Sequence, residues 1–412
     1  MTDFYDVVVV GAGAAGIAAG RRLAEAGVSF VLLEARDRIG GRAHTIMQET
    51  FAVDLGCGWL HSADINPMVG VAEANGFHVE RSPAPWTRQS GHVGVTDEEL
   101  EDFRNTFSAF EKRIDAEAEK NPPVAASAYL EPGNRWNAML HAIFSYISGG
   151  TLECIDARDY ARYEDTGKNW RVREGYGALF AALGAGLPVM LETQVRGVDL
   201  GASGVRVETS RGVVEAKSAI IAVPTSMLHT ITFTPAMPEK LEAAAGLPLG
   251  TAEKLYFMLA EPDELPVDGH LFPRFDRTDM GSYHLRPMGK PLVEVYFGGD
   301  LARGLAEAGP DAMVAYAKDE LAGLLGTSFP VRLTTLASSA WAIDPLAMGS
   351  YSYAKPGCAE MRAVLAAPRE RLFFAGEACS RNRYSTAHGA FETGLQAAEQ
   401  TLASLQRSMP TG

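Results

Sequence analysis

Apolar and polar positions are arranged in distinct patterns along this chain, and each pattern predicts a kind of element. Four consecutive valines, Val7 to Val10, are too continuous for a strand with one wet face and suit a parallel strand covered on both sides. Ala14 to Ala26 is rich in strong helix formers and stops at Gly27, and a second apolar run from Ser29 to Leu33 ends in Glu34. The spacing therefore predicts strand, helix, strand. From Ser82 to about Lys168 the pattern turns helical, with polar turns. Leu100, Phe103, Phe107, Phe110 and Ile114 form one stripe, opened by a Thr96/Glu99 capping box and ended by Asn121-Pro122-Pro123, and we read that stripe as helix core. Trp136 to Ile147 reads as the next helix, and the whole stretch as an insertion walling a pocket. Pro188 to Leu191 and the alternating Val205 to Thr209 read as a small sheet excursion, and Ala219 to Val223 as a buried strand stopped by Pro224. Gly250 to Trp341 reads as a second sheet, with strands at Glu253–Leu259 and Val293–Phe297 and an amphipathic helix over Asp311–Leu325. A last strand, Arg371 to Glu377, precedes a helix opening at Thr386-Ala387-His388-Gly389-Ala390. The fold class expected is α/β, a parallel sheet interleaved with an α+β domain.

The turn after the first strand is Gly11-Ala12-Gly13-Ala14-Ala15-Gly16. Gly11 allows the tight bend, Gly13 lets backbone approach a pyrophosphate, Gly16 lets helix and strand pack closely, and the helix N-terminus faces the phosphates. Glu34, about 20 residues beyond the glycines, is the ribose candidate. Gly40, Gly41 and the arginines at 36, 38 and 42 suit closure over a diphosphate; the alternative is a solvated basic turn.

Composition narrows the partners. A net charge of −14 over 412 residues disfavours a nucleic-acid surface and mildly favours a cationic substrate. Cys57, Cys154, Cys358 and Cys379 lack CxxC spacing, so neither a metal site nor a disulfide framework is expected. Met1-Thr2-Asp3 leads directly into the first strand, Val7 to Gly20 is shorter than a membrane span, and residues 405–412 are polar. A cytoplasmic chain without a membrane anchor is the expectation. Lys254 stands at the head of an apolar strand, where an unpaired ammonium is costly; it either serves a site or pairs with Glu253 at the surface. His61 is either a hydrogen-bonded structural histidine or a substrate contact.

The glycine turn followed by Glu34-Ala35-Arg36-Asp37-Arg38-Ile39-Gly40-Gly41-Arg42 resembles the N-terminal signature of the flavin-dependent amine oxidases. Asp54-Leu55-Gly56-Cys57-Gly58-Trp59-Leu60-His61 with Asn66-Pro67 is similar to the corresponding stretch of polyamine oxidases. Trp170 to Leu179 resembles the block that re-enters the flavin domain, and Ala219 to Pro224 the one that returns beneath the flavin. Gly250 to Phe257 resembles the pattern whose lysine holds a water against flavin N5. Trp341-Ala342-Ile343-Asp344-Pro345-Leu346-Ala347-Met348-Gly349-Ser350-Tyr351-Ser352-Tyr353 resembles polyamine oxidases and flavin histone-lysine demethylases, and Phe374-Ala375-Gly376-Glu377 the family's final acidic motif.

This resemblance implies FAD, bound non-covalently because Ser350 stands where monoamine oxidases carry the flavin-bonded cysteine. It implies a Rossmann-like, glutathione-reductase-like FAD-binding domain from 1–80, 172–248 and 345–412, and a substrate-binding domain from 81–171 and 249–344. Cofactor contacts carry over to Gly11, Gly13, Ala14, Ala15 and Gly16 in the first turn, and to Glu34, Ala35, Arg36, Gly40, Gly41 and Arg42 after the second strand. Leu55, Gly56, Gly58 and Trp59 follow in the next loop, and Val195 meets the adenine through its backbone. Gly376 and Glu377 lie toward the ribityl or diphosphate, while Thr386, Ala387, His388 and Ala390 surround the flavin at the last helix, whose amides face N1 and O2. Lys254, Tyr351, Trp341 and His61 form the catalytic face, with Tyr351 as one wall of an aromatic slot. Tyr351 and Tyr353 can equally be strand packing. A second cage tyrosine is missing near Thr386, with Tyr384 a loose substitute, which favours a polyamine-like or bulky amine. The implied activity is amine oxidation by hydride transfer to the flavin, giving an imine or aldehyde and hydrogen peroxide, with molecular oxygen as partner and a monomer or homodimer as assembly. Carotenoid-desaturase or protoporphyrinogen-oxidase-like chemistry is the enzymatic alternative, and a non-catalytic flavin-bearing binding module the other.

Overall fold

The valine run forms the strand Phe4–Val10, and a mixed sheet is built outward from it. The computed structural model describes residues 4–48, 50–87 and 95–407. Phe30–Leu33 and Gly212–Ile221 pair with the first strand in parallel on either side, followed outward by Val189–Met190 and Leu372–Phe374. Because side chains alternate across a strand, Val7 and Val9 enter one core while Val8 and Val10 enter another. The first core is covered by the helices Ala14–Glu25 and Ala387–Arg407. The second lies under Thr225–Leu228, Pro238–Gly246 and Met361–Ala366. Continuous apolarity thus follows from burial on both faces.

One local expectation is corrected. Val189–Met190 is not part of the sheet excursion; it is the parallel edge strand beside Phe30–Leu33, fixed by the Leu32 amide donating to the Pro188 carbonyl at 2.8 Å. The excursion is instead the antiparallel pair Val195–Leu200 and Val205–Thr209, which runs on into Gly212–Ile221.

The second sheet is antiparallel, in the order Gly269–Leu271, Ser282–Leu285, Leu292–Gly298, Ala252–Leu259, Leu333–Ser338. Its two faces differ in chemistry. Leu255, Phe257, Val293, Val295 and Phe297 pack under the helices Gly299–Ala308 and Pro310–Leu325. Directly opposed residues of an antiparallel pair share a face, so Lys254 with Tyr296, Tyr256 with Glu294, and His284 with Glu294 line the other.

Residues 88–94 of the expected insertion lie outside the described residues, and both of its expected helices form. Asp97–Glu117 has its Thr96/Glu99 capping box and buries Leu100, Phe103, Phe110 and Ile114, and it packs in one core with Asn137–Ser148. The expectations for the leader and the tail concern residues 1–3 and 405–412, of which 1–3 and 408–412 lie outside the described residues. Among the described residues no helix is long and apolar enough to cross a membrane.

Candidate active site

Two glycine turns form the floor of the site. Gly11 has φ +100, and a Cβ there would lie 2.7 Å from the Ala222 carbonyl oxygen; a Cβ on Gly16 would lie 1.8 Å from the carbonyl oxygen of Gly11. Only glycine fits either position. Gly13 bridges Gly40, and the Gly40 amide donates to the Ala12 carbonyl at 2.8 Å, so the second turn, with Gly41, is fastened to the first. Glu34 is buried at the end of its strand; one oxygen accepts from the Ala12 amide and the other from the Arg36 amide, both at 2.9 Å. Val195 starts its strand nearby, where the Thr193 amide donates to the Glu34 carbonyl at 2.7 Å.

The arginines are engaged by the protein. Arg36 makes a two-pronged ion pair with Asp344, both bonds 2.9 Å, which ties the Trp341–Tyr353 block to this floor. Arg38 donates to the Gly41 carbonyl at 2.9 Å, and Arg42 to the Ser350 carbonyl at 2.8 Å and to Glu377 at 2.9 Å. The solvated basic turn does not describe them. Glu377 is a hub: it also accepts from the Ser352 hydroxyl at 2.6 Å and from the Ser352 and Ser385 amides at 3.2 and 2.9 Å. Burial alone would raise its pKa, but the Arg42 charge, the Ser352 hydroxyl and Arg362 hold it below the ordinary carboxylate range. The Thr386 hydroxyl caps the last helix by accepting from the Gly389 amide at 3.0 Å, and the Ala390 amide donates to the Thr386 carbonyl at 3.1 Å. The amides that a helix start leaves free are therefore those of Ala387 and His388 rather than those of Gly389 and Ala390.

Above this floor stands the polar face of the second sheet. Lys254 is buried, and its ammonium lies 3.3 Å from Glu294 without an aligned hydrogen bond among the described residues. A Cβ on Gly58 would meet Lys254 Nζ at 3.0 Å, so glycine at this position keeps a side chain off the ammonium. Glu253 points the other way, accepting from the Ser339 hydroxyl at 2.5 Å and the Ala342 amide at 2.8 Å, so the surface pairing with Lys254 is not made. Trp341 is buried, with its indole N–H donating to the Leu55 carbonyl at 2.7 Å. Trp59 stacks near His284 and over Arg171, 4.7 Å from the guanidinium. The Tyr351 and Tyr296 hydroxyls meet at 2.9 Å, and Tyr351 also donates to the Tyr146 carbonyl. His61 Nδ1 donates to the Asn169 side-chain oxygen at 2.7 Å; burial lowers its basicity, so Nε2 keeps a free lone pair.

Two fastened glycine turns, a buried cation and a tyrosine pair are thus the parts of the candidate site. The family model described as flavin containing amine oxidoreductase matches residues 14–144 and 140–402. The chain belongs to this family. It is 30% identical to polyamine oxidase 2 of Arabidopsis thaliana, over 95% of this chain and 87% of that protein. It is 28% identical to lysine-specific histone demethylase 1 homolog 3 of Oryza sativa subsp. japonica, over 96% of this chain and 54% of that one. Its fold matches a putrescine oxidase triple mutant at a TM-score of 0.81 and 19% identity, covering 97% of this chain and 99% of that one. Cyclohexylamine oxidase from Brevibacterium oxydans IH-35A matches at 0.80 and 19%, covering 98% and 100%. The protein is accordingly an amine-oxidising flavoenzyme, its cofactor is FAD, and its fold is the Rossmann-like FAD-binding domain with a substrate-binding domain.

Several residues of this amine oxidase's site do not stand out in the sequence. Tyr296 and Glu294 look like ordinary alternating strand positions, and only the register with Lys254 and Tyr256 brings them to the site. The Tyr384 hydroxyl donates to the Asp159 carbonyl at 3.0 Å and its ring lies 3.6 Å from the Arg362 guanidinium, while the hydroxyl beside that of Tyr351 belongs to Tyr296.

Acid should weaken the fold through its buried histidines. Burial lowers His270 and His388 to about 3, with His61 and Arg383 adding to the effect at His388. Both are neutral when folded and take up a proton on unfolding below about 6.5, so stability is complete above that pH and falls as pH drops toward about 3. At pH 5 the loss is on the order of 2 kcal/mol per histidine. Melting temperature should therefore fall between pH 7 and pH 5, and His270→Gln should flatten part of that slope. An unchanged slope in the variant would contradict the assignment.

Proposed function

We propose that this enzyme oxidises a polyamine-like or bulky primary or secondary amine, holding FAD non-covalently and passing electrons to molecular oxygen. The observation that carries the reading is the buried Lys254 ammonium, which has no aligned hydrogen-bond partner among the described residues and which a Cβ on Gly58 would approach to 3.0 Å. A buried donor left unmade is costly, so its position suits a partner outside the protein.

The fit to FAD rests on the floor of the site. Gly11, Gly13, Ala14, Ala15 and Gly16 would hold the pyrophosphate at the start of the first helix, and Glu34 with Ala35 the ribose. Arg36, Gly40, Gly41 and Arg42 would close the other side, Arg36 through its grip on Asp344 and Arg42 through Glu377. Val195 would meet the adenine, and Gly376, Thr386, Ala387, His388 and Ala390 the flavin end. Leu55, Gly56, Gly58 and Trp59 would form the loop against the ring, with Trp341 fixed to Leu55. The Ser350 hydroxyl is engaged with the Ala252 amide at 2.9 Å and the Ala252 carbonyl at 2.7 Å, which supports non-covalent attachment. We assign 1–80, 172–248 and 345–412 to the FAD domain and 81–171 and 249–344 to the substrate domain.

When bound, the flavin supplies a two-electron acceptor for the carbon beside the amine nitrogen and returns those electrons to oxygen. Tyr351 and Tyr296 present aromatic faces and joined hydroxyls that orient the amine, which suits a chemistry needing position and dryness more than proton transfer. His61 Nε2 is an acceptor for an amine N–H. Lys254 fixes a water and stabilises negative charge as it develops.

The test is an anaerobic visible titration of the purified holoenzyme with spermine, spermidine, their acetylated forms and arylalkylamines, followed by air. Bleaching by a polyamine, with recovery and peroxide, is expected. Bleaching by arylalkylamines alone would overturn the substrate class, and bleaching by none would favour a desaturase-like or binding role. Tyr351→Phe, which breaks the hydroxyl pair but keeps the ring, should slow bleaching by about tenfold, a loss of the order of one hydrogen bond.

A further inference from the structure

We propose that Glu294 is the positioning residue of this site: its carboxylate fixes the Lys254 ammonium in place, and Arg171 holds that carboxylate from behind. The inference rests on the role of Lys254 proposed above. Among the described residues Glu294 is the acid within ion-pair distance of Lys254, at 3.3 Å. The same oxygen accepts from the Tyr256 hydroxyl at 2.8 Å, and Tyr256 donates from the strand that carries Lys254. The other oxygen lies 2.8 Å from Arg171, whose guanidinium is covered by Trp59. Side-chain exposures of 7% for Lys254 and Arg171 and 6% for Glu294 put all three charges out of water.

Burial opposes a charged carboxylate, yet Arg171 and Lys254 hold Glu294 well below the ordinary carboxylate range. The other groups facing Lys254 cannot replace it. Asp54 spends its carboxylate on the Tyr176 and Gly177 amides, at 3.1 and 3.3 Å, and on Thr45. Burial pushes the Cys57 thiol up to about 12, and lowers His61, so both are neutral. Tyr296, opposite Lys254, carries a phenol raised by burial, and His284 faces the Arg171 side of Glu294 at 3.6 Å. Glu294 is therefore the anion that Lys254 and Arg171 share.

The experiment compares wild type, Glu294→Gln and Lys254→Met holoenzymes. Reoxidation of the reduced flavin by oxygen is followed from pH 6 to 10 by stopped flow, and thermal unfolding of each chain and of the double variant is measured beside it. Glu294→Gln is expected to reoxidise about tenfold more slowly than wild type, the scale of losing one hydrogen-bonded charge partner that holds the lysine in place. Glu294→Gln should also lower the melting temperature more in wild type than in the Lys254→Met background. Should Glu294→Gln give no folded holoenzyme, Glu294→Asp carries the test, with a smaller slowing in the same direction because its carboxylate is withdrawn by one methylene. The wild-type rate across this range in the Glu294 variant, with Lys254→Met slow, overturns the positioning role and leaves the lysine assignment standing. Unchanged reoxidation in Lys254→Met overturns both.

Discussion

Lys254→Met is expected to slow reoxidation of the reduced flavin by oxygen about 10²–10³-fold, the scale of losing one preorganised charge stabiliser. Methionine keeps the length and unbranched shape of the stem, so the strand Ala252–Leu259 and the core beneath it should be undisturbed. Glu294 keeps Arg171 and the Tyr256 hydroxyl as partners, so the variant does not strand a buried anion. Anaerobic reduction by the amine should fall much less, because the tyrosine pair and His61 remain. Separate stopped-flow measurements of the two half-reactions check this. Equal slowing of both would mean that Lys254 shapes the site as a whole; no slowing of the oxygen step would remove it from the chemistry.

Local rules carried much of this architecture. The valine run, the spacing of Gly11, Gly13 and Gly16, and the Thr96/Glu99 cap are decided within a few residues by backbone sterics and burial, and the structure has them as expected. Lys254 was legible as an anomaly, since a lone cation in an apolar strand demands a partner. Its partner was not. Glu294 lies in a strand where alternation fits either face, and only the pairing of two distant strands says which residues meet. The same limit explains Val189–Met190, too short for periodicity to separate a parallel edge from an excursion. The arginines at 36 and 42 announced anion binding, yet their partners Asp344 and Glu377 lie over 300 residues away and use long-range contacts to fasten one end of the chain to the other.

Arg362→Met is expected to be the most destabilising of these changes, at about 3–5 kcal/mol, because it leaves a buried carboxylate without its counter-charge. Arg362 grips Asp159 through bonds of 2.7 and 2.8 Å, with both side chains 1% exposed. It also donates to the Ser352 hydroxyl at 3.0 Å, and that hydroxyl donates to Glu377 at 2.6 Å. Asp159 belongs to the helical insertion, in Ala157–Ala161, whereas Ser352 and Glu377 belong to the cofactor end. The pair therefore bolts the helical insertion to the Ser352 and Glu377 end of the chain across 203 residues of sequence. Thermal unfolding should show a large drop in melting temperature, with a lower ratio of flavin to protein absorbance as Glu377 loses its order. Asp159→Leu combined with Arg362→Met removes both charges together and should recover most of the lost stability, as paired apolar replacement of buried ions commonly does. Recovery of stability without recovery of flavin would assign Arg362 to the cofactor floor. Failure of the double variant to recover either would mean that Ser352 and the Tyr384 ring, not Asp159, are the contacts that matter.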